Sequence, residues 1–120
     1  MQATVVTDPT AVIVVILQEV LIALDIEMIV RESRPNAQVL VARTLGEALE
    51  ILPSGRIEVA FVQLDPRTVA DSPLGHRIAA ECGRVVVLSE DPGPRLPAGW
   101  TSLPYPFASK DVEALLTENA

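Results

Sequence analysis

The stretch Val59-Ala-Phe-Val-Gln-Leu-Asp65 indicates the fold more directly than any other part of the sequence. It is a short apolar run that contains an aromatic and β-branched residues, and its polar residues come at the C-terminal end. This pattern is typical of a buried strand, which we place at residues 59–64. Functional sites of open α/β sheets form at the carboxyl ends of the strands. We therefore expect Gln63 or Asp65 to lie at any site that the protein has.

Strand-like and helix-like segments alternate on both sides of this stretch. Thr44 and Glu47 have the spacing of a capping box, and Ser72-Pro73 is typical of a helix start. Strands are predicted at residues 11–16, 39–42, 59–64, 85–88 and 101–103, and helices at 19–33, 44–52, 72–82 and from 109 onward. Such alternation predicts a parallel sheet with helices on both faces and right-handed crossovers.

One expected helix is missing from the alternation. The segment 90–99, between the fourth and fifth strands, contains Pro92, Pro94 and Pro97. Proline removes a backbone donor and clashes with the preceding turn of a helix. We therefore predict that the helix between the last two strands is shortened or absent.

The first helix carries two apolar stripes. One has apolar residues at spacings of four, three and four, and the other lies on a different side. The stripes are Leu17, Leu21, Leu24 and Met28, and Ile22, Ile26 and Ile29. A helix packed on one sheet needs only one stripe, so the isoleucine stripe either packs against the last helix or stays exposed as an interface.

Length and composition indicate one globular domain. The chain has 120 residues, 49% of them hydrophobic, which we divide into a loose arm at 1–10 and a domain at 11–120. Nine basic against sixteen acidic residues give 9 − 16 = −7, which disfavours nucleic acid as a partner. Cys82 is the only cysteine, so no internal disulfide can form, and a cytoplasmic location fits. We expect Cys82 to have a structural role.

A membrane partner is also not expected. The run 11–30 is apolar enough to suggest a membrane span, but Glu19, Asp25 and Glu27 interrupt it. Charges near the middle of a helix are costly in lipid. Because the N-terminus has no basic region and Asp8-Pro9 breaks it, it does not read as a signal peptide.

Three short motifs share an order and spacing with a known family. Leu21-Ile-Ala-Leu-Asp-Ile-Glu27 follows the first strand, Val85-Val-Val-Leu-Ser89 forms the fourth, and Pro106-Phe107 follows the fifth. Together they resemble the receiver domain of bacterial two-component response regulators over about residues 11–117, and Ser72-Pro73-Leu74 resembles a subgroup of single-domain receivers. The resemblance implies a flavodoxin-like (CheY-like), doubly wound sheet of five parallel strands in the order 2-1-3-4-5.

The residues that an active receiver needs are nearly all replaced. Such a domain accepts a phosphoryl group on an aspartate, with carboxylates that hold magnesium, a hydroxyl and a lysine beside it. By the resemblance, the carboxylate pair falls on Leu17 and Gln18, the acceptor on Gln63 and the lysine on Tyr105, while Ser89 keeps the hydroxyl. An amide is a poor nucleophile, and leucine cannot ligate a metal. The resemblance thus implies no metal, no cofactor and no enzymatic activity.

The function expected from these losses is that of a pseudo-receiver. Without an attached output domain, it would act in bacterial phosphorelay signalling through a protein partner or through self-association as a homodimer. We expect the partner surface on the isoleucine stripe Ile22, Ile26 and Ile29. Trp100 is the second choice, either as part of a partner surface or as a packing lid on the sheet edge.

Two other functions remain open from the sequence. The neutralised pocket near Leu17, Gln63, Ser89 and Tyr105 could belong to a small-molecule binding module, because ligand pockets are largely apolar with a few polar groups. Alternatively, the protein is a working receiver with a displaced acceptor. A two-residue slip would make Asp65 the acceptor, and a one-residue slip would make Glu19 a metal ligand.

Overall fold

The computed structural model describes most of the chain between residues 11 and 117. The described residues are 11–53, 55–81, 83–89, 96, 100–104 and 107–117. They form five strands and five helices. In chain order these are β1 (Ala11–Ile16), α1 (Val20–Ser33), β2 (Gln38–Ala42), α2 (Leu45–Ile51), β3 (Arg56–Val62), α3 (Pro66–Ala70), α4 (Pro73–Ala80), β4 (Arg84–Ser89), β5 (Thr101–Pro104) and α5 (Ser109–Thr117).

The strands form one parallel sheet in the order β2-β1-β3-β4-β5, which confirms the predicted α/β architecture. β1 lies between β2 and β3, and its last residue, Ile16, pairs with Ala42 on one side and Val62 on the other. The carboxyl ends of these three strands therefore lie level at one edge of the sheet. Parallel sheets place their functional sites along this edge.

Alternate residues of the strands build two apolar layers. In β1, Ile13 and Val15 belong to a core cluster with α1 and α5, whereas Val12 and Val14 belong to a cluster with α2, α3 and α4. Both sets are fully buried. A strand that is covered on both faces needs apolar residues at every position, and this explains the continuous apolar run of β1.

The orientation of α1 corrects the sequence prediction. The buried residues of this helix are Ala23, Ile26, Ile29 and Val30, whereas Leu21, Leu24 and Met28 are 77%, 46% and 60% exposed. The isoleucine stripe thus packs into the core with α5, and the prediction that it forms an exposed partner surface was wrong for Ile26 and Ile29.

The reason for this error lies at the start of the helix. The predicted stripe began at Leu17, but Leu17 precedes the first residue of α1, Val20, and is buried at the end of β1. Because Leu17 does not belong to the helix, each stripe has three residues there, Leu21, Leu24 and Met28 in one and Ile22, Ile26 and Ile29 in the other. The two stripes are therefore similar in length and hydrophobicity. Contacts with both the sheet and α5 then decide which stripe is buried.

The connection between β3 and β4 contains two helices instead of the single predicted one. β3 begins and ends earlier than predicted, at Arg56 and Val62, which leaves room for the short helix α3. Ser72 separates α3 from α4, and its hydroxyl oxygen accepts a hydrogen bond from the Gly75 amide at 3.1 Å, as its predicted role as a helix cap requires. The Thr44 hydroxyl likewise accepts from the Glu47 amide at 3.1 Å at the start of α2.

An irregularity in β3 places a carboxylate inside the protein. Val12 pairs with Ile57 and Ile13 with Val59, so Glu58 is the extra residue of a β-bulge. Both carboxylate oxygens of Glu58 accept hydrogen bonds from the guanidinium of Arg34, at 2.5 and 2.6 Å. Arg34 is the C-cap residue that follows the last residue of α1, so this ion pair joins the end of α1 to the bulge.

Three predictions concern residues outside the described ones. They are the loose arm at 1–10, the structural role of Cys82, and the absence of a regular helix over 90–99, where only Leu96 is described. Each stays a prediction. No helix in the described part of the chain combines the length and the apolar character needed to cross a membrane.

Candidate functional site

The residues that follow β1 and β3 lie beside each other at the carboxyl edge of the sheet. The amide of Gln63 donates a hydrogen bond to the carbonyl of Ile16, and the amide of Leu17 donates to the carbonyl of Ala42, both at 3.1 Å. The sheet hydrogen bonding thus continues one residue beyond the strands. It fixes the backbone at the positions that the resemblance aligns with the magnesium ligand and the phosphoryl acceptor.

The side chains at these positions form a neutral strand edge. Leu17 is 2% exposed and belongs to the core cluster that includes Phe61 and Leu88. Gln63 is half-buried, and Gln18 is exposed. Leu17 therefore acts as a core residue. The first two positions after β1 and after β3 carry only two polar side chains, the uncharged amides of Gln18 and Gln63.

The other two predicted site residues are only partly described. Ser89 is the last residue of β4 and pairs with Pro104 of β5, which places its backbone near the same edge. The side chain of Ser89 and the whole of Tyr105 lie outside the described residues. The structure therefore brings Leu17 and Gln63 together and places Ser89 on the strand next to β3.

Two carboxylates lie beyond the strand ends. Asp65 is the residue that precedes α3, is exposed, and accepts a hydrogen bond from the Thr68 hydroxyl at 3.3 Å. Glu19 precedes α1 and is also exposed. Among the described residues, no three His, Cys, Asp or Glu side chains are grouped closely enough to hold a metal ion.

Four of the five large hydrophobic residues that are exposed in the described part of the chain lie on α1. We define the α1 apolar face as Val20, Leu21, Leu24 and Met28, which are all large hydrophobic residues more than two-fifths exposed. Leu24 lies four residues after Val20, three after Leu21 and four before Met28, so the four residues share one side of the helix. Three of these residues, Leu21, Leu24 and Met28, belong to the first of the two predicted apolar stripes.

A groove of about 360 Å³ lies between α1 and the start of α5. Its lining residues are Asp25, Met28, Ile29, Glu32, Phe107 and Ser109. Met28 belongs both to this groove and to the α1 apolar face, so the two features are continuous. No signal in the sequence had indicated this groove, because Phe107 and α1 are far apart along the chain.

Trp100 lies on the other side of the sheet from α1. It is half-buried and packs, together with Leu96, against the core cluster formed with α2, α3 and α4. Of the two roles considered for Trp100, these contacts favour packing over the partner surface.

Comparison of the chain with models of known protein families, with curated proteins and with solved structures found no match. A functional assignment therefore depends on the fold and on two sets of residues. These are the neutral strand edge at Leu17 and Gln63 and the α1 apolar face.

Proposed function

We propose that this chain is a cytoplasmic pseudo-receiver, a protein-binding module of bacterial two-component signalling that performs no phosphoryl transfer. The observation that carries the proposal is the position of Gln63. It follows β3 directly, beside the buried Leu17, in a five-stranded sheet of order 2-1-3-4-5. In a receiver, the phosphoryl acceptor has this position.

The chemistry of the two side chains supports the absence of phosphoryl transfer. A carboxylate attacks phosphorus as an anionic oxygen nucleophile, whereas the side-chain amide of Gln63 is neutral and its nitrogen lone pair is delocalised into the carbonyl. Magnesium selects hard oxygen ligands, and Leu17 has none. Since clustered carboxylates repel each other and require a cation, a neutral edge is also less costly to fold.

The α1 apolar face supports the protein-binding part of the proposal. A monomer that exposes Leu21, Leu24 and Met28 on one helix side keeps contiguous apolar surface in water. Burial of each such side chain against a partner is worth about 1.5–3 kcal/mol relative to full exposure. Residues at this spacing are the usual anchors of helix-mediated recognition.

Intact-mass measurement tests the proposal. The protein is incubated with acetyl phosphate and magnesium, and a catalytically competent receiver in a parallel reaction shows that the reagent is active. We expect no mass increase for this protein. A stable gain of one phosphoryl group would overturn the proposal, and its location on Asp65 would identify the displaced acceptor.

A further inference from the structure

We propose that the groove between α1 and α5, together with the α1 apolar face, binds an amphipathic helix of a partner protein whose polar side carries Lys or Arg. The inference rests on the proposed protein-binding function and adds the chemistry of the partner. Three observations carry it: the shape of the surface, the placement of two carboxylates, and the charge of the two helices.

The surface has the form of an apolar strip with a recess along one side. Met28, Ile29 and Phe107 supply the apolar part of the groove. Met28 connects the groove to Leu24 and Leu21, which lie one and two helical turns nearer the start of α1. An elongated strip of this kind matches the apolar side of a helix better than it matches a compact ligand.

Asp25 and Glu32 line the groove and give it negative charge. They are seven residues apart on α1, which corresponds to two turns and about 10 Å along the helix axis. Both are exposed, and neither makes an ion pair within the described part of the chain. Lys or Arg side chains two turns apart on a partner helix would reach both carboxylates while an apolar residue between them enters the groove.

The charge of the surrounding helices favours the same partner. α1 and α5 contain the cations Arg31 and Lys110 and five carboxylates, so their sum is 2 − 5 = −3; the five are Asp25, Glu27, Glu32, Asp111 and Glu113. Arg31 is engaged with Glu27 at 2.7 Å. A second copy of this chain would bring the same carboxylates to the interface, and juxtaposed like charges are strongly unfavourable. A basic partner would be attracted by these carboxylates, whereas a second copy of the chain would be repelled by them.

A pair of synthetic peptides tests this chemistry. The first is a fluorescein-labelled amphipathic helix built from Leu on one side and Lys on the other, with Lys residues seven apart at the edge of the apolar side. The second has the same apolar side with Glu in place of Lys. Fluorescence anisotropy at low and at physiological salt should show binding of the Leu–Lys peptide and at least about tenfold weaker binding of the Leu–Glu peptide.

Matched charge reversals locate the binding site. The double variant Asp25→Lys/Glu32→Lys should weaken binding of the Leu–Lys peptide at least about tenfold. The control is Glu50→Lys/Asp71→Lys, which changes the net charge equally at exposed positions on α2 and after α3. This control should change affinity less than about threefold, because distant surface charges are screened at physiological salt.

Four results would overturn the inference. They are no binding of the Leu–Lys peptide, equal binding of both peptides, equal weakening by both double variants, and a dimer in sedimentation that Leu24→Glu dissociates, since a second copy would then occupy the surface. Failure of the inference can be told apart from failure of the proposed function. A phosphoryl gain in the mass measurement would contradict the proposed function, whether or not the peptides bind. Absence of peptide binding without a phosphoryl gain would contradict only this inference.

Discussion

Gln63 and Leu17 occupy neighbouring positions at the carboxyl edge of the sheet, but their burial differs. Leu17 lies within the core shared by α1 and α5, whereas Gln63 is half-buried and outside that cluster. A carboxylate could therefore replace Gln63 with access to water, but a carboxylate at position 17 would enter the core. Leu17 is thus part of the packing of the domain, and the carboxylate that the resemblance to receivers leads one to expect at this position could not be introduced without loss of stability.

Leu17→Asp should destabilise the domain by at least about 3 kcal/mol. The substitution removes a buried Leu, worth about 1.5–3 kcal/mol, and adds the cost of a carboxyl group in an apolar surrounding. The measurement is the free energy of unfolding from urea denaturation. The adjacent variant Gln18→Asp places the same group at an exposed position and should change stability by no more than about 0.5 kcal/mol. If Leu17→Asp cost as little as Gln18→Asp, position 17 would tolerate a carboxylate and the account above would be wrong.

Ile26→Glu and Leu24→Glu should have opposite effects. Ile26 is 0% exposed and packs in the core with α5, so a glutamate there should cost about 3–5 kcal/mol and unfold much of the population. Leu24 belongs to the α1 apolar face, so Leu24→Glu should keep the fold and abolish binding of the Leu–Lys peptide. Far-ultraviolet circular dichroism and denaturation separate the two results. A folded Ile26→Glu variant would show that the buried and exposed sides of α1 are reversed.

The sheet could be predicted from sequence because its central strands are buried on both faces. A strand such as β1 must be apolar at every position, and no helix face gives that pattern at this length. The helix starts at Thr44 and Ser72 were found because a side-chain cap requires a specific residue type at a specific position.

The orientation of α1 could not be predicted in the same way. Its two stripes, represented by Leu24 and Ile26, are similarly apolar, and the choice between them depends on contacts with the sheet and with α5, which is distant in sequence. The groove could not be predicted for the same reason, since Phe107 and α1 are distant in sequence and lie beside each other only in the folded chain. Local patterns do not contain such contacts. At the strand edge, by contrast, the residue types are sufficient. Once the ends of β1 and β3 are known, Leu17 and Gln63 predict that these two positions carry no side-chain carboxylate.

Gly75→Ala should destabilise the domain although alanine is the better helix former. A β-carbon at Gly75 would lie 2.2 Å from the carbonyl oxygen of Val69 and 2.9 Å from the α-carbon of Ala70. Both contacts are with backbone, so α3 and α4 would have to move apart, at a cost of about 1–3 kcal/mol. Thermal denaturation should show a lower midpoint for this variant.

Gly46→Ala is the matched control for that variant. Apart from its chain neighbours and the nearby backbone of its own helix, no atom lies within 4 Å of the position of the added β-carbon, and Gly46 lies within α2. Alanine should therefore stabilise the domain by about 0.5–1 kcal/mol through its helix propensity. If both variants raised the denaturation midpoint, the close approach of α3 to α4 would be refuted.

The ion pairs of Arg34 and Arg31 should contribute very differently to stability. Arg34 holds Glu58 by two hydrogen bonds, and the side chains are 33% and 5% exposed. Arg34→Ala removes both bonds from a buried carboxylate, and we expect a loss of about 2–3 kcal/mol, below the usual cost for a fully buried pair because water reaches part of this one. Arg31 pairs with Glu27 on the surface of α1 and is 56% exposed. Arg31→Ala should therefore cost no more than about 0.5 kcal/mol. Urea denaturation of both variants gives the comparison, and similar losses for the two would mean that the Glu58 bulge does not depend on Arg34.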